Sequence, residues 1–298
     1  MNQVRIPLDA WYAAGRQIRY RGHRIFVRVD GPRDADALLL IHGFPTASWD
    51  WEALWPALTA GYRVYALDLI GFGFSDKPAD YGYSLTDQAD LCEYFLRQEG
   101  IANYHVLAHD YGDSVAQELL ARQLDAEHSP CLGSVAFLNG GLFPETHRPV
   151  LLQKLLLSPL GALVSRFSSR ARLAANMRAI FGPGTPPDDQ LIDGFWRLLG
   201  HGDGRRIVHK LIRYMVERRQ QRERWVGALR QATIPLALID GAADPISGAH
   251  MARRYQQLVP AADVTLLDGI GHYPQLEAPA AVLAAYMAFR ARVGAPSN

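Results

Sequence analysis

The five residues Ala108-His109-Asp110-Tyr111-Gly112 constrain the fold of this chain more than any other stretch. They follow an apolar run and precede a segment with helical periodicity, so they predict a strand, a sharp turn and a helix. Small residues lie two positions before and two positions after Asp110, as a crowded backbone turn requires. This is the pattern of a nucleophile elbow, with an aspartate in place of the usual serine. The alternative is an ordinary Asp that caps the following helix.

An aspartate at the elbow indicates a particular kind of chemistry. Its carboxylate is ionised at neutral pH, needs no base to activate it and is suited to attack on a saturated carbon. Ser114 lies outside the elbow position, which argues against a serine hydrolase. Asp113 adds a second acid at the start of the helix, which favours the helix. We also expect its negative charge to raise the pKa of Asp110.

Strand-like and helical segments alternate along most of the chain, which predicts an α/β fold with a mostly parallel sheet flanked by helices. From residue 139 to about 225 the apolar residues recur at helical spacing and no strand-like run is found. We therefore predict a core formed by residues 1–139 and 230–298, with a helical cap inserted at 140–229. Within the cap, the charge-rich stretch Arg213 to Arg224 is interpreted as a solvated helix.

Two further residues could complete a catalytic triad. Asp244 follows one predicted buried strand and His272 follows the next, so both would lie at the same sheet edge as Asp110. The order nucleophile, acid, histidine is the one typical of a nucleophile-elbow fold. Taken singly, Asp244 could be a turn residue before a proline and His272 a packed histidine. Asp240 is a rival acid, but it falls where the strand should still be buried.

The loop after the predicted strand Ala37–Ile41 should supply part of an oxyanion hole. We expect the backbone N–H groups of Phe44 and Tyr111 to form that hole. Pro45 has no N–H to donate. His42 is interpreted as a structural, hydrogen-bonding histidine.

These segments together resemble the α/β-hydrolase fold family, in particular its epoxide hydrolase and haloalkane dehalogenase group. The resemblance extends over about residues 23 to 292. It rests on His42-Gly-Phe-Pro45 followed by Trp49 and Trp51, Gly61 to Val64, Asp68 to Pro78, His109 to Gly112, and Gly271-His272. A narrower likeness, to mesoderm-specific transcript-like proteins, rests on His109 to Leu120, Asn139 to Pro149, Arg224 to Leu229, and His272 to Glu277.

The resemblance implies a two-step hydrolysis through a covalent ester on Asp110. Epoxide hydrolases of this kind place two cap tyrosines on the epoxide oxygen, and Tyr214 matches the second of them. No tyrosine lies between Phe143 and Arg213 to serve as the first. Dehalogenases hold the halide with a Trp after the nucleophile and a second Trp or an Asn, but Tyr111 and Phe44 occupy those positions here. Tyr214 and the His-Gly-Phe-Pro motif therefore favour an epoxide substrate.

Three alternatives stay open at this point. Tyr214 could be an ordinary tyrosine at the surface of an amphipathic helix. The same carboxylate could serve a dehalogenase or a lactone or ester hydrolase. A protein of another class, a non-catalytic binder of apolar ligands, could have kept the pocket without turnover, although such a protein would not need a complete triad.

The composition and the first residues of the chain indicate which partners and which cellular location to expect. A formal net charge of +1 gives no indication of a nucleic acid partner. Two cysteines are too few for a disulfide framework, and Met1 to Asp9 contains no apolar region of a secretory signal, so we expect a cytoplasmic protein. The apolar run Leu151 to Leu157 is too short to span a membrane and is interpreted as a cap helix over an apolar pocket. No cofactor or metal is expected, and the predicted partner is a small apolar substrate, with the oligomeric state left open.

Overall fold

A single eight-stranded sheet organises the fold in the computed structural model, which describes residues 5–125, 130–166 and 168–293. The strands lie in the order β1-β2-β4-β3-β5-β6-β7-β8. The pairs β1–β2 and β2–β4 are antiparallel, and all the other pairs are parallel. The strands are β1 Arg16–Tyr20, β2 His23–Asp30, β3 Ala37–Ile41, β4 Arg63–Leu67, β5 Asn103–His109, β6 Cys131–Leu138, β7 Leu236–Gly241 and β8 Asp263–Leu267. The predicted mostly parallel α/β sheet is confirmed.

The central strands are apolar on both sides because helices cover both faces of the sheet. Every residue of β3 is buried. Its side chains alternate between two hydrophobic cores: Leu39 and Ile41 belong to one, while Leu38 and Leu40 belong to the other. Since successive residues of a strand point to opposite faces, the two cores lie on opposite sides of the sheet.

Helices account for most of the remaining described residues. The helices are α1 Leu8–Ala13, α2 Trp55–Gly61, α3 Leu85–Gln98, α4 Tyr111–Asp125, α5 Leu151–Leu157, α6 Gly161–Arg166, α7 Arg170–Ile180, α8 Asp189–Gly200, α9 Val208–Leu211, α10 Tyr214–Gln220, α11 Arg222–Gln231, α12 Ala249–Leu258, α13 Pro274–Glu277 and α14 Pro279–Val293. Short 3₁₀ turns cover Ser48–Trp51 and His201–Arg206. Helix α2 begins at Trp55, and Pro56 lies in its first turn, where proline is favoured.

Helices α5 to α11 lie between β6 and β7, and the described part of residues 140–229 contains no strand. These helices share a core with the sheet, because Tyr214 and Trp225 belong to the same hydrophobic cluster as Val106 of β5. The solvated-helix interpretation of Arg213 to Arg224 holds for its exposed residues, such as Arg213 and Arg219, and is wrong for one face of the segment. The segment forms α10 and the start of α11, and it buries Tyr214 and Arg218 against the sheet.

Two sequence-based expectations concern membranes and the chain start. No helix in the described ranges is both long and apolar enough to cross a bilayer. Leu152 and Leu156 of α5 do line an apolar cavity, as we predict for Leu151 to Leu157. The first four residues of the stretch Met1 to Asp9 lie outside the described residues.

Candidate active site

Asp110 occupies a strained turn between β5 and α4. Its φ is +46°, in the left-handed region that few residues other than glycine adopt. Gly112 is required because a Cβ atom there would lie 2.3 Å from the backbone oxygen of Ile41. The turn places the buried Asp110 at the carboxyl end of β5, the edge at which ligands bind in open α/β sheets.

Asp244 and His272 meet beyond the ends of β7 and β8. Nδ1 of His272 lies 2.8 Å from Oδ2 of Asp244, and both side chains are buried. The backbone N–H of His272 donates to the carbonyl of Ile180 at the end of α7, which fixes the loop that carries the imidazole. An acid that holds a histidine in one orientation is the arrangement that general base catalysis needs.

Hydrogen bonds from two other segments hold the Asp244 carboxylate. The N–H of Ile246 donates to Oδ1 at 2.8 Å. Both the N–H and the hydroxyl of Ser247 donate to Oδ2, at 3.1 and 2.8 Å, and the Asn139 amide donates to it at 3.1 Å. Sequence reasoning missed Asn139 and Ser247. The signal for Ser247 was present, because an Asp often accepts from backbone groups two and three residues further on.

Asp240, the rival acid, lies within β7 and is completely buried. Neither of its carboxylate oxygens has a hydrogen-bond partner among the described residues. Burial, and then the charge of Asp244, raise the pKa of Asp240 well above its ordinary value, which favours the neutral form of this side chain.

Two backbone amides lie beside the elbow. The N–H of Phe44 donates to Oδ2 of Asp110 at 3.1 Å. Tyr111 opens α4, so its N–H belongs to the first turn, where amides have no acceptor within the helix. His42 has a structural role, as expected, because its Nε2 accepts from the N–H of Leu69 at 3.1 Å.

A buried cation from α10, which sequence reasoning missed, lies against the elbow. Nη2 of Arg218 donates to the backbone oxygen of Asp110 at 2.7 Å and lies 3.6 Å from its Oδ1. Nε of the same guanidinium donates to the Ser114 hydroxyl at 2.6 Å. Nη1 has no hydrogen-bond partner within the described part of the chain. Arg218 is 2% exposed, so its charge acts on Asp110 through little intervening solvent.

Tyr214 is also buried beside the elbow, not at the surface of the insertion. Its ring centroid lies 5.7 Å from that of Phe44 and 5.2 Å from that of Tyr111. The Arg218 guanidinium lies over its ring at 4.4 Å. Its hydroxyl is buried without a hydrogen bond to any described residue. Burial, and then Asp110, raise the pKa of Tyr214, so the hydroxyl keeps its proton.

The pKa values of Asp110 and Asp113 at the elbow differ from our expectation. Burial opposes ionisation of Asp110, but His272 and Arg218 outweigh it and hold the pKa of Asp110 below its ordinary value. Burial, and then Asp110, raise the pKa of Asp113 well above its own. The expectation that Asp113 raises the pKa of Asp110 is therefore wrong: the raised pKa is that of Asp113 itself, which is completely buried and whose two oxygens lack a partner in the described ranges.

The surrounding carboxylates raise the pKa of the His272 imidazole. Burial disfavours its charged form, but Asp244 and then Asp110 outweigh burial and raise the pKa of His272 to about 9. The neighbouring His109 shows the reverse: burial and the charge of His272 lower its pKa to about 3. Within the described residues, no group of three His, Cys, Asp or Glu side chains is placed to hold a metal ion.

An apolar cavity of about 90 Å³ lies between the Phe44 loop and the inserted helices. Its lining includes Phe44 and Pro45 from the loop, and Leu152, Leu156, Val164, Trp196, Leu199 and Val208 from the insertion. Phe44 connects this cavity to the elbow, because its amide donates to Asp110. A larger cavity of about 530 Å³ includes Leu236 and Asp263, which begin β7 and β8, so it lies at the opposite end of the sheet.

Similarity to known proteins agrees with this geometry. A sequence model described as "Alpha/beta hydrolase family" matches residues 38–285. The mesoderm-specific transcript protein of Mus musculus is 40% identical over 297 residues, which covers 96% of this chain and 89% of that protein. LipZ of Mycobacterium tuberculosis is 40% identical over 271 residues, with 91% and 93% covered. The crystal structure of haloalkane dehalogenase DbeA from Bradyrhizobium elkani superposes with a TM-score of 0.80 at 22% identity, covering 95% of this chain and 99% of that one.

The family match spans most of the chain, and it includes the strand, turn and helix around Asp110 and the two loops that bring Asp244 and His272 together. Sequence, sheet order and site geometry therefore lead to one conclusion: this protein belongs to the α/β hydrolase family.

Proposed function

We propose that this protein hydrolyses an epoxide to a vicinal diol through an ester on Asp110. The observation that carries the proposal is the Tyr214 hydroxyl, which is buried beside the elbow and has no hydrogen-bond partner among the described residues. A buried hydroxyl without a partner is costly, and a substrate oxygen would satisfy it. Its raised pKa keeps the proton available for an alkoxide.

In the first step a carboxylate oxygen of Asp110 attacks an epoxide carbon and the carbon–oxygen bond of the ring breaks. The leaving oxygen takes the proton of Tyr214 and becomes the first hydroxyl group of the product. Arg218 lies over the Tyr214 ring and would stabilise the phenolate that remains. The product of this step is a neutral ester that joins Asp110 to the substrate.

In the second step His272 takes a proton from water, and the resulting hydroxide attacks the ester carbonyl. The amides of Phe44 and Tyr111 would hold the negative oxygen, and Phe44 already donates to a carboxylate oxygen of Asp110. Collapse of this intermediate releases the diol and the Asp110 carboxylate. The proton taken from water stays on His272 and restores its resting imidazolium, while the Tyr214 phenolate receives the proton that His272 released before the attack, so the balance is epoxide plus water to diol.

The charge of Asp110 would coordinate the two steps. Together with Asp244, it raises the pKa of His272 to about 9, so the resting imidazole is protonated at neutral pH. Esterification removes the charge of Asp110, so the pKa of His272 falls and the imidazolium gives its proton to the Tyr214 phenolate left by the first step. The imidazole becomes a competent base only when an ester is present to be hydrolysed.

A second candidate is dehalogenation, which Arg218 favours because its cation next to Asp110 could hold a departing halide. The same carboxylate could also open a lactone or an ester. In each case we propose that the helical insertion at 140–229 covers the site as a cap. We propose a small apolar substrate, in keeping with the cavity lining. We also propose that the protein acts in the cytoplasm, with Cys92 and Cys131 as free thiols.

The experiment that tests the proposal has two parts. The purified protein is incubated with an aliphatic epoxide, a bromoalkane and an aryl ester, while diol, bromide and phenol are measured. We expect diol as the main product, whereas bromide as the main product would favour the second candidate. Binding of an apolar ligand without turnover of any of the three would support a non-catalytic binder.

The covalent step is tested with His272→Gln, which lacks the base for the second step. We expect the ester to accumulate, so that intact mass increases by the mass of one epoxide and peptide mapping locates the increase at Asp110. The double variant with Asp110→Asn is the control and should keep its native mass. An unmodified His272→Gln protein, together with an active wild type, would contradict a carboxylate nucleophile.

A further inference from the structure

Helix α5, and helix α6 with the residue before it, present a cluster of exposed leucines on the outside of the insertion. Leu151 is 71% exposed, Leu155 43%, Leu160 64% and Leu163 53%. Leu151 and Leu155 are four residues apart, and Leu160 and Leu163 are three apart, so each pair lies on one side of the chain. A single exposed leucine is ordinary, but four within thirteen residues form a patch. We name these four residues the leucine face.

The other side of the same two helices lines the cavity. Leu152 and Leu156 of α5 and Val164 of α6 contribute to the apolar space of about 90 Å³ beneath the insertion. One layer of helix therefore separates the leucine face from the cavity. An apolar molecule held at the leucine face would be close to the space that reaches Phe44.

Charge is distributed unevenly around the leucine face. From residue 146 to residue 187 the sequence contains six basic residues and no acidic one, although the formal net charge of the whole chain is only +1. Lys154 of α5 and Arg166 of α6 are exposed beside the leucines. Arg170 and Arg178 are paired with acids of α8, so Lys154 and Arg166 provide the outward positive charge of these two helices.

The geometry points to a specific occupant: the leucine face docks on the surface of an anionic lipid bilayer. Leucine side chains would enter the boundary between headgroups and acyl chains, while Lys154 and Arg166 contact lipid phosphates. A protein partner fits less well, because protein interfaces are enriched in aromatic residues and Met, and the leucine face contains neither. This docking does not depend on which reaction Asp110 performs.

Vesicle flotation of the full chain tests the inference. We expect the protein to float with vesicles of equal parts phosphatidylcholine and phosphatidylserine, and to bind vesicles of phosphatidylcholine alone much more weakly. The double variant Leu155→Ser with Leu163→Ser should lower the partition coefficient on the order of tenfold or more. Lys154→Gln and Arg166→Gln should each lower it about fivefold on the anionic vesicles.

Matched controls come from exposed residues elsewhere on the chain. Leu266→Ser changes a leucine that is 42% exposed on β8, and Arg253→Gln removes an exposed charge from α12; both should float like the wild type. Equal loss of binding in the control variants, or no flotation of the wild type, would overturn the inference. It would also be overturned if the leucine variants converted a dimer to a monomer in solution while vesicle binding was unchanged, because the face would then be a protein interface.

Discussion

Asp244 and Asp110 are both buried carboxylates at the carboxyl edge of the sheet, yet their surroundings differ. Asp244 accepts hydrogen bonds from Asn139, Ile246 and Ser247 and contacts His272. Around Asp110, by contrast, the Tyr214 hydroxyl and Nη1 of Arg218 have no partner among the described residues. The first region is built to hold one geometry. The second leaves buried polar atoms without partners, which is what we expect of a site that binds a molecule.

The largest expected effect comes from substituting Asp244, whose carboxylate is held by hydrogen bonds. Asp244→Asn keeps the shape of the side chain but presents an amide donor to His272 and Ser247. We expect epoxide turnover to fall about ten-thousandfold, because the imidazole loses its orientation and its charge partner. Unfolding in denaturant should show a loss of roughly 3 kcal/mol, as when one member of a buried charged pair is removed.

Asp240→Asn is the matched control for that prediction. Asp240 is buried in β7, the strand that precedes Asp244, with no partner in the described ranges, and burial raises its pKa well above the ordinary value. An isosteric amide should therefore leave turnover within about threefold of the wild type. A collapse of activity in this variant, with Asp244→Asn still active, would exchange the roles of the two acids.

The next largest effect should come from removing the cation at the elbow. Arg218→Met should lower kcat/KM roughly a hundredfold or more, because a buried charge at the reacting groups is lost. The pKa of Asp110 should rise without this cation, so the acidic limb of the pH profile of kcat/KM should move to higher pH. Arg219→Met, at the exposed neighbouring position, is the control and should change neither quantity.

Removal of the unpaired Tyr214 hydroxyl should lower turnover without lowering the stability of the fold. Tyr214→Phe should lower epoxide turnover about a hundredfold, as expected for loss of one donor to a developing oxyanion. Its free energy of unfolding should stay equal or rise, since no hydrogen bond to the described residues is lost. Tyr20→Phe is the opposite case: that hydroxyl donates to Asp87 at 3.0 Å, so stability should fall by about 1 kcal/mol with turnover intact. Unchanged turnover in Tyr214→Phe would remove the support for an epoxide substrate.

The last prediction concerns stability alone, as a dependence on pH. Burial opposes charging of His272, but Asp244 and Asp110 raise its folded pKa to about 9, above the ordinary value of about 6.5. The extra stability should be complete below pH of about 6.5 and be lost as the pH rises through about 9. Urea unfolding at a series of pH values measures this, with His272→Gln as the control that should lack the decline.

Sequence patterns were sufficient for the parts of the site that depend on local order. Asp110 follows an apolar strand and precedes a helix, and Gly112 excludes any larger residue at the turn, so the elbow could be predicted from five residues. Asp244 follows the buried strand β7, and His272 follows β8, which is a half-exposed edge strand and not the buried strand we predict. Parallel strands end at the same edge. The pairing of these two side chains therefore followed from their positions in the sequence.

Arg218 could not be found in this way. Its segment is rich in charge of both signs, and such a charge pattern indicates a solvated helix. The guanidinium is buried because Asp110 and Ser114, more than a hundred residues earlier, supply its hydrogen-bond acceptors. The sequence also did not reveal which of Asp110 and Asp113 has the raised pKa, for a related reason, since this depends on burial and on which acid lies next to a cation.

The order of strands and helices, the elbow and the three residues of the proposed triad were determined by the sequence itself, because each depends on periodicity or on a short-range steric requirement. Tertiary structure alone decided which buried polar groups are paired and which are left open, and hence the protonation of Asp110, Asp113 and His272. The physical reason is that pairing and desolvation depend on distances between segments far apart in the chain. Such distances exist only after the inserted helices have packed on the sheet.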